Sequence, residues 1–341
     1  MRIRQASIMT SWSSSVAALA AVCAFAPSAS LTVSSGKDLQ IPAAGSPIRV
    51  DVSLVTVPVV AADKDGKYIT GLKQEDFHIF EDGVQQKIDR LIPASEPFNV
   101  ALMLDSSGST HFKFADIQGA AQAFVDSLRP QDRIMVVSFD DVMRVHTGLT
   151  DDRVRLRRAI LETESSSEGT RLYDALDRVL EAHLEPLPGR KAIVLFSDGV
   201  DNGSVTGDSG STRSKIEKSD VVLYAIQYDT RKDGISDRFS VPLPQGYVSF
   251  NTLYSRAVKY FGSLTGRSGG RLFHAETVAG LNEAFSQIAD ELPLQYTLCY
   301  YPARPAKDGS YRTIRVTVDR PNVKVRARTG YRAGAKPAKG K

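Results

Sequence analysis

Four short stretches of this chain are apolar at every position, and they constrain its fold more than anything else in the sequence. They are Val100-Ala101-Leu102-Met103-Leu104, Ile134-Met135-Val136-Val137, Ala192-Ile193-Val194-Leu195-Phe196 and Val221-Val222-Leu223-Tyr224-Ala225. A strand with one face in water alternates apolar and polar residues, whereas a strand apolar throughout is covered on both faces. Helical spacing separates the runs: Ile117, Ala121, Phe124 and Leu128 recur on one face, as do Leu172, Leu176, Val179, Leu180 and Leu184. A last helix is predicted from Gly280 to Leu292, stopped by Pro293. Residues 97–292 are thus expected to form a doubly wound α/β domain, a mostly parallel sheet with helices on both faces in Rossmann-like style.

The flanks read as β structure. Residues 47–95 open with the alternating Arg49-Val50-Asp51-Val52-Ser53-Leu54, and Phe77-His78-Ile79-Phe80 runs into Glu81-Asp82-Gly83, a hairpin signal. Residues 293–332 contribute Gln295–Tyr301, a turn at Asp308-Gly309, Tyr311–Val318, and Val323–Thr329 as a third strand. Neither flank has enough strands to close a sandwich alone. They are expected to combine into one small β-sandwich, with the α/β domain inserted between them.

Residues 1–29 have the form of an export signal. Arg2 and Arg4 precede an apolar run from Val16 to Ala26, too short to span about 30 Å of hydrocarbon but suited to a signal core. Pro27 disfavours cleavage after Ala26 and moves the expected site to near Ala29, while Val22 is bulky for a lipoprotein box ending at Cys23. Residues 30–46 read as a linker and 333–341 as a disordered basic tail. The mature protein is expected to be periplasmic, secreted or at the cell surface, with no transmembrane segment; peripheral contact with the cell envelope is compatible with this. Removing the signal leaves Cys299 as the one cysteine, so the core and not a disulfide must hold the fold. The five histidines are scattered without metal-ligand spacing, which argues against a zinc enzyme. From Arg304 onward twelve Lys/Arg stand against two Asp. Export argues against nucleic acid as the partner of that basic end; anionic lipid, glycan or peptidoglycan would suit it, and a solvated strand face explains it more simply.

The residues that carry chemistry sit where the first buried strand ends. Asp105-Ser106-Ser107-Gly108-Ser109 presents one carboxylate and two hydroxyls on a tight turn, at the sheet edge where open α/β folds bind ligands. Thr170, before a helix, and Asp198, at the end of the fourth strand, add a hydroxyl and a second carboxylate from the same edge. An all-oxygen set of this kind suits a hard cation, Mg²⁺ or Mn²⁺. Two carboxylates leave such an ion with residual positive charge and an exchangeable position, which a partner's carboxylate can fill. Other polar residues have plainer readings: Asp201 as a helix cap or turn residue, Asp140-Asp141 as a tight turn, and Asp174 as a cap or solvated residue at its helix start. His111 reads as a surface histidine and Cys299 as a small buried hydrophobe.

Asp105-x-Ser107-x-Ser109 together with Thr170 and Asp198 resembles the metal-ion-dependent adhesion site (MIDAS) of von Willebrand factor type A domains, and Gly169 to Leu176 resembles bacterial members. The flanks Val59-Val60-Ala61-Ala62-Asp63-x-x-Gly66, Gly71-Leu72-x-x-Glu75-Asp76-Phe77, Glu81-Asp82-Gly83 and Val325 to Tyr331 are similar to the VWFA-related domain family of Acidobacteria. The resemblance covers roughly residues 48 to 333. It implies a metal-dependent binding domain without catalysis. Ser107, Ser109 and Thr170 would ligate the ion directly, with Asp105 and Asp198 acting through water. Two alternatives stand beside it: a scaffold that binds through its sandwich with a vestigial metal site, and a hydrolase with Ser107 as nucleophile or a metal-activated water. The latter lacks a histidine base and a Gly-x-Ser-x-Gly elbow. The chain departs from the pattern at Asp229–Leu253, where Pro242, Pro244 and Gly246 predict a long structureless loop rimming the site.

Overall fold

A computed structural model of the protein describes residues 54–165, 169–229, 240–243, 246–304 and 309–334. The expected signal segment, the linker, residues 49–53, Asp308 and the tail beyond 334 lie outside the described residues.

In chain order, the first strands are β1 (Val55–Ala62), β2 (Phe77–Glu81), β3 (Val84–Gln86) and β4 (Ile88–Ile92). The α/β unit follows as β5 (Phe98–Asp105), α1 (Phe114–Ser127), β6 (Arg133–Phe139), β7 (Met143–Thr150), α2 (Arg153–Leu161), α3 (Leu172–Arg178) and β8 (Arg190–Ser197). It continues through α4 (Ser209–Lys218), β9 (Val222–Tyr228), β10 (Ser240–Leu243), β11 (Gly246–Ser249), α5 (Phe250–Ser268), β12 (Leu272–Ala275) and α6 (Val278–Glu291). The chain returns to β structure as β13 (Tyr296–Tyr300), β14 (Tyr311–Val318), β15 (Lys324–Ala327) and β16 (Gly330–Arg332).

The four apolar runs become β5, β6, β8 and β9, neighbours in a six-stranded sheet ordered β12-β9-β8-β5-β6-β7. All neighbours pair in parallel except β6 with β7, an antiparallel edge. Both faces are covered, as the unbroken apolar runs require. On one face Val100, Leu102 and Leu104 pack with α1 and α6, where Phe124 and Phe285 lie 5.2 Å apart between ring centres. On the other, Ala101 and Met103 pack against Leu172, Leu176 and Phe261 of α3 and α5. The buried repeat that began at Leu172 continues through Leu184, but past Arg178 the backbone loosens into a π-helical turn, Val179–Leu184.

The flanking strands interleave. Strands β1 and β4 from one end of the chain join β13 and β15 from the other in the order β15-β1-β13-β4, and β2 and β3 join β14 and β16 as β16-β14-β2-β3. The inner faces of these two four-stranded sheets share Val57, Val59, Ile79, Leu298, Tyr300, Ile314 and Val316 as one core. The Asp82-Gly83 turn joining β2 to β3 has φ of 47° and 83°, the left-handed pair a two-residue hairpin needs. Arg190, at the start of β8, ties the chain's entry to the α/β unit to its exit. Its guanidinium donates to the carbonyls of Ala94 and Glu96 on one crossing and of Leu292 and Gln295 on the other.

Three sequence expectations need correcting here. The stretch Asp229–Leu253 is not structureless: its described part is the β10–β11 hairpin, and α5 begins at Phe250. The third strand of the C-terminal flank is shorter than Val323–Thr329, and a fourth, β16, follows it. The arginines of that flank are not all on a solvated face: Arg304, Arg315 and Arg320 are exposed, but Arg326, Arg328 and Arg332 turn inward. Arg326 pairs with Glu291 and donates to the Gly270 carbonyl, while Arg332 meets Glu217 at 3.0 Å. Arg328 is buried and donates to the carbonyls of Thr56, Glu217, Ser219 and Gly330. These contacts join the sandwich to α4, α5 and α6, because the α/β unit supplies the acids and carbonyls that the alternating sequence of the strand does not reveal.

Candidate metal-binding site

The carboxyl ends of β5 and β8 stand side by side, since Leu104 pairs with Phe196. Asp105 ends β5, and its side chain is shut away from solvent. One oxygen accepts from the Ser107 amide at 3.0 Å and the Ser107 hydroxyl at 2.6 Å; the other accepts from the Ser197 hydroxyl at 2.5 Å. The Ser107 and Ser109 hydroxyls lie 3.2 Å apart. Thr110 pins the turn by donating to the carbonyls of Asp105 and Ser107.

Asp198 follows β8 and is equally buried. One of its oxygens accepts from the Val200 amide at 2.9 Å, and its carbonyl accepts from Gln227 at the end of β9. Gly199 makes the next turn at φ 82°, and a Cβ there would stand 2.6 Å from Ala257 and 2.7 Å from Phe261 of α5. Only glycine tolerates both that angle and that approach. The electrostatics follow from the placement. Burial pushes the Asp105 carboxyl up from its ordinary range, and the charge of Asp198 pushes further; the hydroxyls of Ser107 and Ser197 pull the other way. Asp105 therefore faces a second carboxylate with only hydroxyls and an amide to stabilise its charge.

Thr170 comes from the loop before α3 and is also buried. Its position is set through its backbone: its amide donates to the Asn202 side chain at 2.7 Å, and its carbonyl accepts from the amides of Asn202 and Gly203. The next amide, of Arg171, donates to the Asp140 carbonyl at 2.7 Å, and the Asp140 carboxylate lies 3.4 Å from the Ser106 hydroxyl. The three loops are thus tied together at one edge. Ser107 links Asp105 and Ser109 by hydrogen bonds and Asp198 is in electrostatic contact with Asp105, whereas the Thr170 hydroxyl bonds to none of these among the described residues.

The donor set, two carboxylates and three hydroxyls, fits a hard divalent ion that keeps some of its water. The mutual repulsion of Asp105 and Asp198 is what such an ion relieves. Among the described residues no group of three His, Cys, Asp or Glu that could hold a metal ion occurs, here or elsewhere.

The remaining polar residues sort themselves by contact. Asp201 caps α3 by accepting from the Tyr173 amide, and holds Ser204. Asp140 and Asp141 occupy the β6–β7 turn, with Asp140 paired to Arg144 at 2.7 Å. Asp174 does not cap its own helix; it accepts from the amides of Val205, Thr206 and Gly207 across the loop. His111 is exposed, 3.3 Å from Ser165, and Cys299 is buried. Two positioning residues escape sequence reasoning. Ser197 could be suspected from its place beside Asp198, but nothing local marks Asn202 as the clamp on Thr170. The β10–β11 hairpin reaches this edge through Val248, which packs with Val200, Phe250 and Leu253.

Residues 100–200 match the family model of the von Willebrand factor type A domain, a stretch that includes Asp105, Ser107, Ser109, Thr170 and Asp198. No curated protein matches the chain. Similar solved structures include a von Willebrand factor type A protein from Catenulispora acidiphila (14% identity, 77% of this chain and 66% of that one, TM-score 0.47). Another is proximal thread matrix protein 1 from the mussel byssus with a zinc-occupied MIDAS motif (17%, 62% and 49%, 0.45). A third is the vWF domain of the type V pili tip protein Mfa5 from Porphyromonas gingivalis (14%, 57% and 94%, 0.43). The chain spans 66% and 49% of the first two. No helix among the described residues is long and apolar enough to cross a membrane.

Proposed function

We propose that this chain is an exported, non-catalytic binding protein of adhesion type that grips a carboxylate of a protein partner through a divalent cation at the carboxyl edge of its main sheet. The observation that carries the reading is the buried pair Asp105 and Asp198, which repel each other beside the hydroxyls of Ser107 and Ser109. Ser107, Ser109 and Thr170 would hold the ion by their hydroxyls, while Asp105 and Asp198 supply negative charge. Hard oxygen donors favour Mg²⁺ or Mn²⁺. The bound ion supplies positive charge that a partner's Asp or Glu completes.

Ser107 bonds to Asp105 and Ser109 and not to a histidine base, which supports binding over hydrolysis. The domain division belongs to the same reading: a signal at 1–29, a sandwich from 47–95 and 293–332, and a binding domain at 97–292 carried between them. So does membership of the VWFA-related family of Acidobacteria, argued from the flanking motifs.

Titration calorimetry of the metal-stripped protein with Mg²⁺ and Mn²⁺ tests the site. One ion per chain, lost in Asp105→Ala, is the expected result. No ion bound by the intact protein, alone or with acetate present as a stand-in carboxylate, overturns the reading and moves the binding role to the sandwich.

A further inference from the structure

A second cavity lies at the opposite, amino-terminal edge of the main sheet, where that edge meets the outer face of the sandwich. Alternation along β1, β13 and β4 builds one wall of it. Val57 and Leu298 point into the sandwich core, so Thr56, Cys299 and Arg90, level with one another across the three strands, point out of it. Pro58, Thr297 and Ile92 form the next outward row. The starts of β8 and β9 supply the other wall through Arg190, Lys191 and Val222. The pocket between them has a volume of about 190 Å³, room for about six waters.

Its lining holds more positive charge and more donors than the chain itself uses. Arg90, Arg190 and Lys191 stand against one acid, Asp220, and Lys191 takes that acid at 2.7 Å. Arg190, only 3% exposed, stacks 3.9 Å over the Phe98 ring and donates to carbonyls, but meets no carboxylate among the described residues. Asp132 and Glu96 act on it from outside the pocket, and Arg129 beside them offsets their charge. The Nε of Arg190 and the Nε2 of Gln295, another buried lining residue, have no acceptor. Buried donors left unpaired are costly, so this place is short of acceptors. Arg90 is exposed, and its cross-strand neighbour is the Cys299 thiol. Burial pushes that thiol's pKa up, although Arg90 pulls it the other way, so a neutral group and not a counter-charge faces the guanidinium.

We infer that this pocket binds a short-chain aliphatic monocarboxylate, its carboxylate on Arg90 and its tail against Pro58, Ile92 and Val222. A guanidinium fork matches a carboxylate in two-point geometry, and Arg190 adds positive charge from the opposite wall. The apolar residues favour an acid with a tail over a bare anion such as phosphate, which would give up hydration against them without gaining donors. An acid of about six heavy atoms fills the space of about six waters. The site is separate from the candidate ion. Strands β5 and β8, eight residues each, run from this edge to Asp105 and Ser197 and put about 23 Å between the two places.

The test is calorimetric titration of the metal-stripped full chain with butyrate, with butyramide and with inorganic phosphate, at constant pH and ionic strength. Without metal, a carboxylate has no ion to complete at the other edge, so failure of this inference leaves the ion site untouched. Butyrate is expected to bind once per chain with a dissociation constant of about 1 mM. Butyramide, which has the same shape and no charge, and phosphate, which has charge and no tail, are each expected to bind about tenfold more weakly or worse. Arg90→Gln alters an exposed side chain, and should bring butyrate down to the level of butyramide while the melting temperature stays unchanged. No saturable butyrate binding overturns the inference. So does butyramide or phosphate binding as tightly as butyrate, or a preference for the acid that survives Arg90→Gln.

Discussion

At the carboxyl edge of the main sheet, Asp105 and Asp198 are buried together among hydroxyls and amides. Within the sandwich and along its seam with the α/β unit, Glu81, Glu217 and Glu291 are buried as deeply, but each has its own cation. Glu81 meets Arg312 at 2.9 Å and the hydroxyls of Tyr300 and Tyr331; Glu217 pairs with Arg267 and Arg332, and Glu291 with Arg326. A buried carboxylate costs several kcal/mol unless it is compensated. Where the chain supplies the compensation, the carboxylate fastens two segments; at the sheet edge, Asp105 has hydroxyls and an amide instead.

The largest effect should come from removing a built-in cation. Arg312→Met leaves Glu81 with tyrosines alone and should cost about 3–5 kcal/mol in denaturant unfolding. A loss below about 1 kcal/mol would erase the contrast, since Glu81 would then be as poorly compensated as Asp105 and yet tolerated. Next in size is the effect of supplying the absent charge. Mg²⁺ at a hundredfold excess over its dissociation constant should stabilise the wild type by about 2.7 kcal/mol, read as a rise in melting temperature, and should do nothing for Asp105→Asn.

The same substitution has an opposite consequence without metal. Asn keeps the size of Asp105 and an acceptor for Ser107 or Ser197, but removes the charge that burial and Asp198 both penalise. Metal-free Asp105→Asn should therefore be more stable than metal-free wild type, by about 1 kcal/mol. A loss of stability would mean that this edge is compensated from within, like the seam.

The main sheet was legible because its central strands are covered on both faces, which leaves runs such as Ala192–Phe196 with no polar residue. Strand β12, four residues long and partly exposed, carries no such mark. Helix α5 had a readable repeat in Leu253, Ala257, Phe261 and Leu264, but Pro242, Pro244 and Gly246 just before it suggested a loop. At the candidate site, the motif residues could be named because their chemistry is their own. Asn202 could not, because its significance depends on which loop lies opposite. The seam was hidden for the same reason: Lys324-Val325-Arg326-Ala327-Arg328 alternates like a solvent-facing strand, and only Glu217, Glu291 and the nearby carbonyls turn its arginines inward.

Asp174 offers a third arrangement, a carboxylate compensated by backbone amides and not by a cation. Burial raises its pKa, but the amides of Val205, Thr206 and Gly207 and the Thr206 hydroxyl outweigh that and hold it below the ordinary aspartate range. A carboxyl whose folded pKa is lowered contributes stability that is present above its unfolded pKa and lost as pH falls through the folded value. Asp174→Asn should therefore cost about 1 kcal/mol at neutral pH, a modest figure because the side chain is partly solvated, and almost nothing once the wild-type carboxyl is protonated. Amide exchange at Val205, Thr206 and Gly207 gives the local readout: protection should fall in acid for the wild type and already be reduced at neutral pH in the variant. Unchanged protection would show that these amides do not depend on the charge, leaving cations, built in or bound, as what separates the two kinds of buried acid.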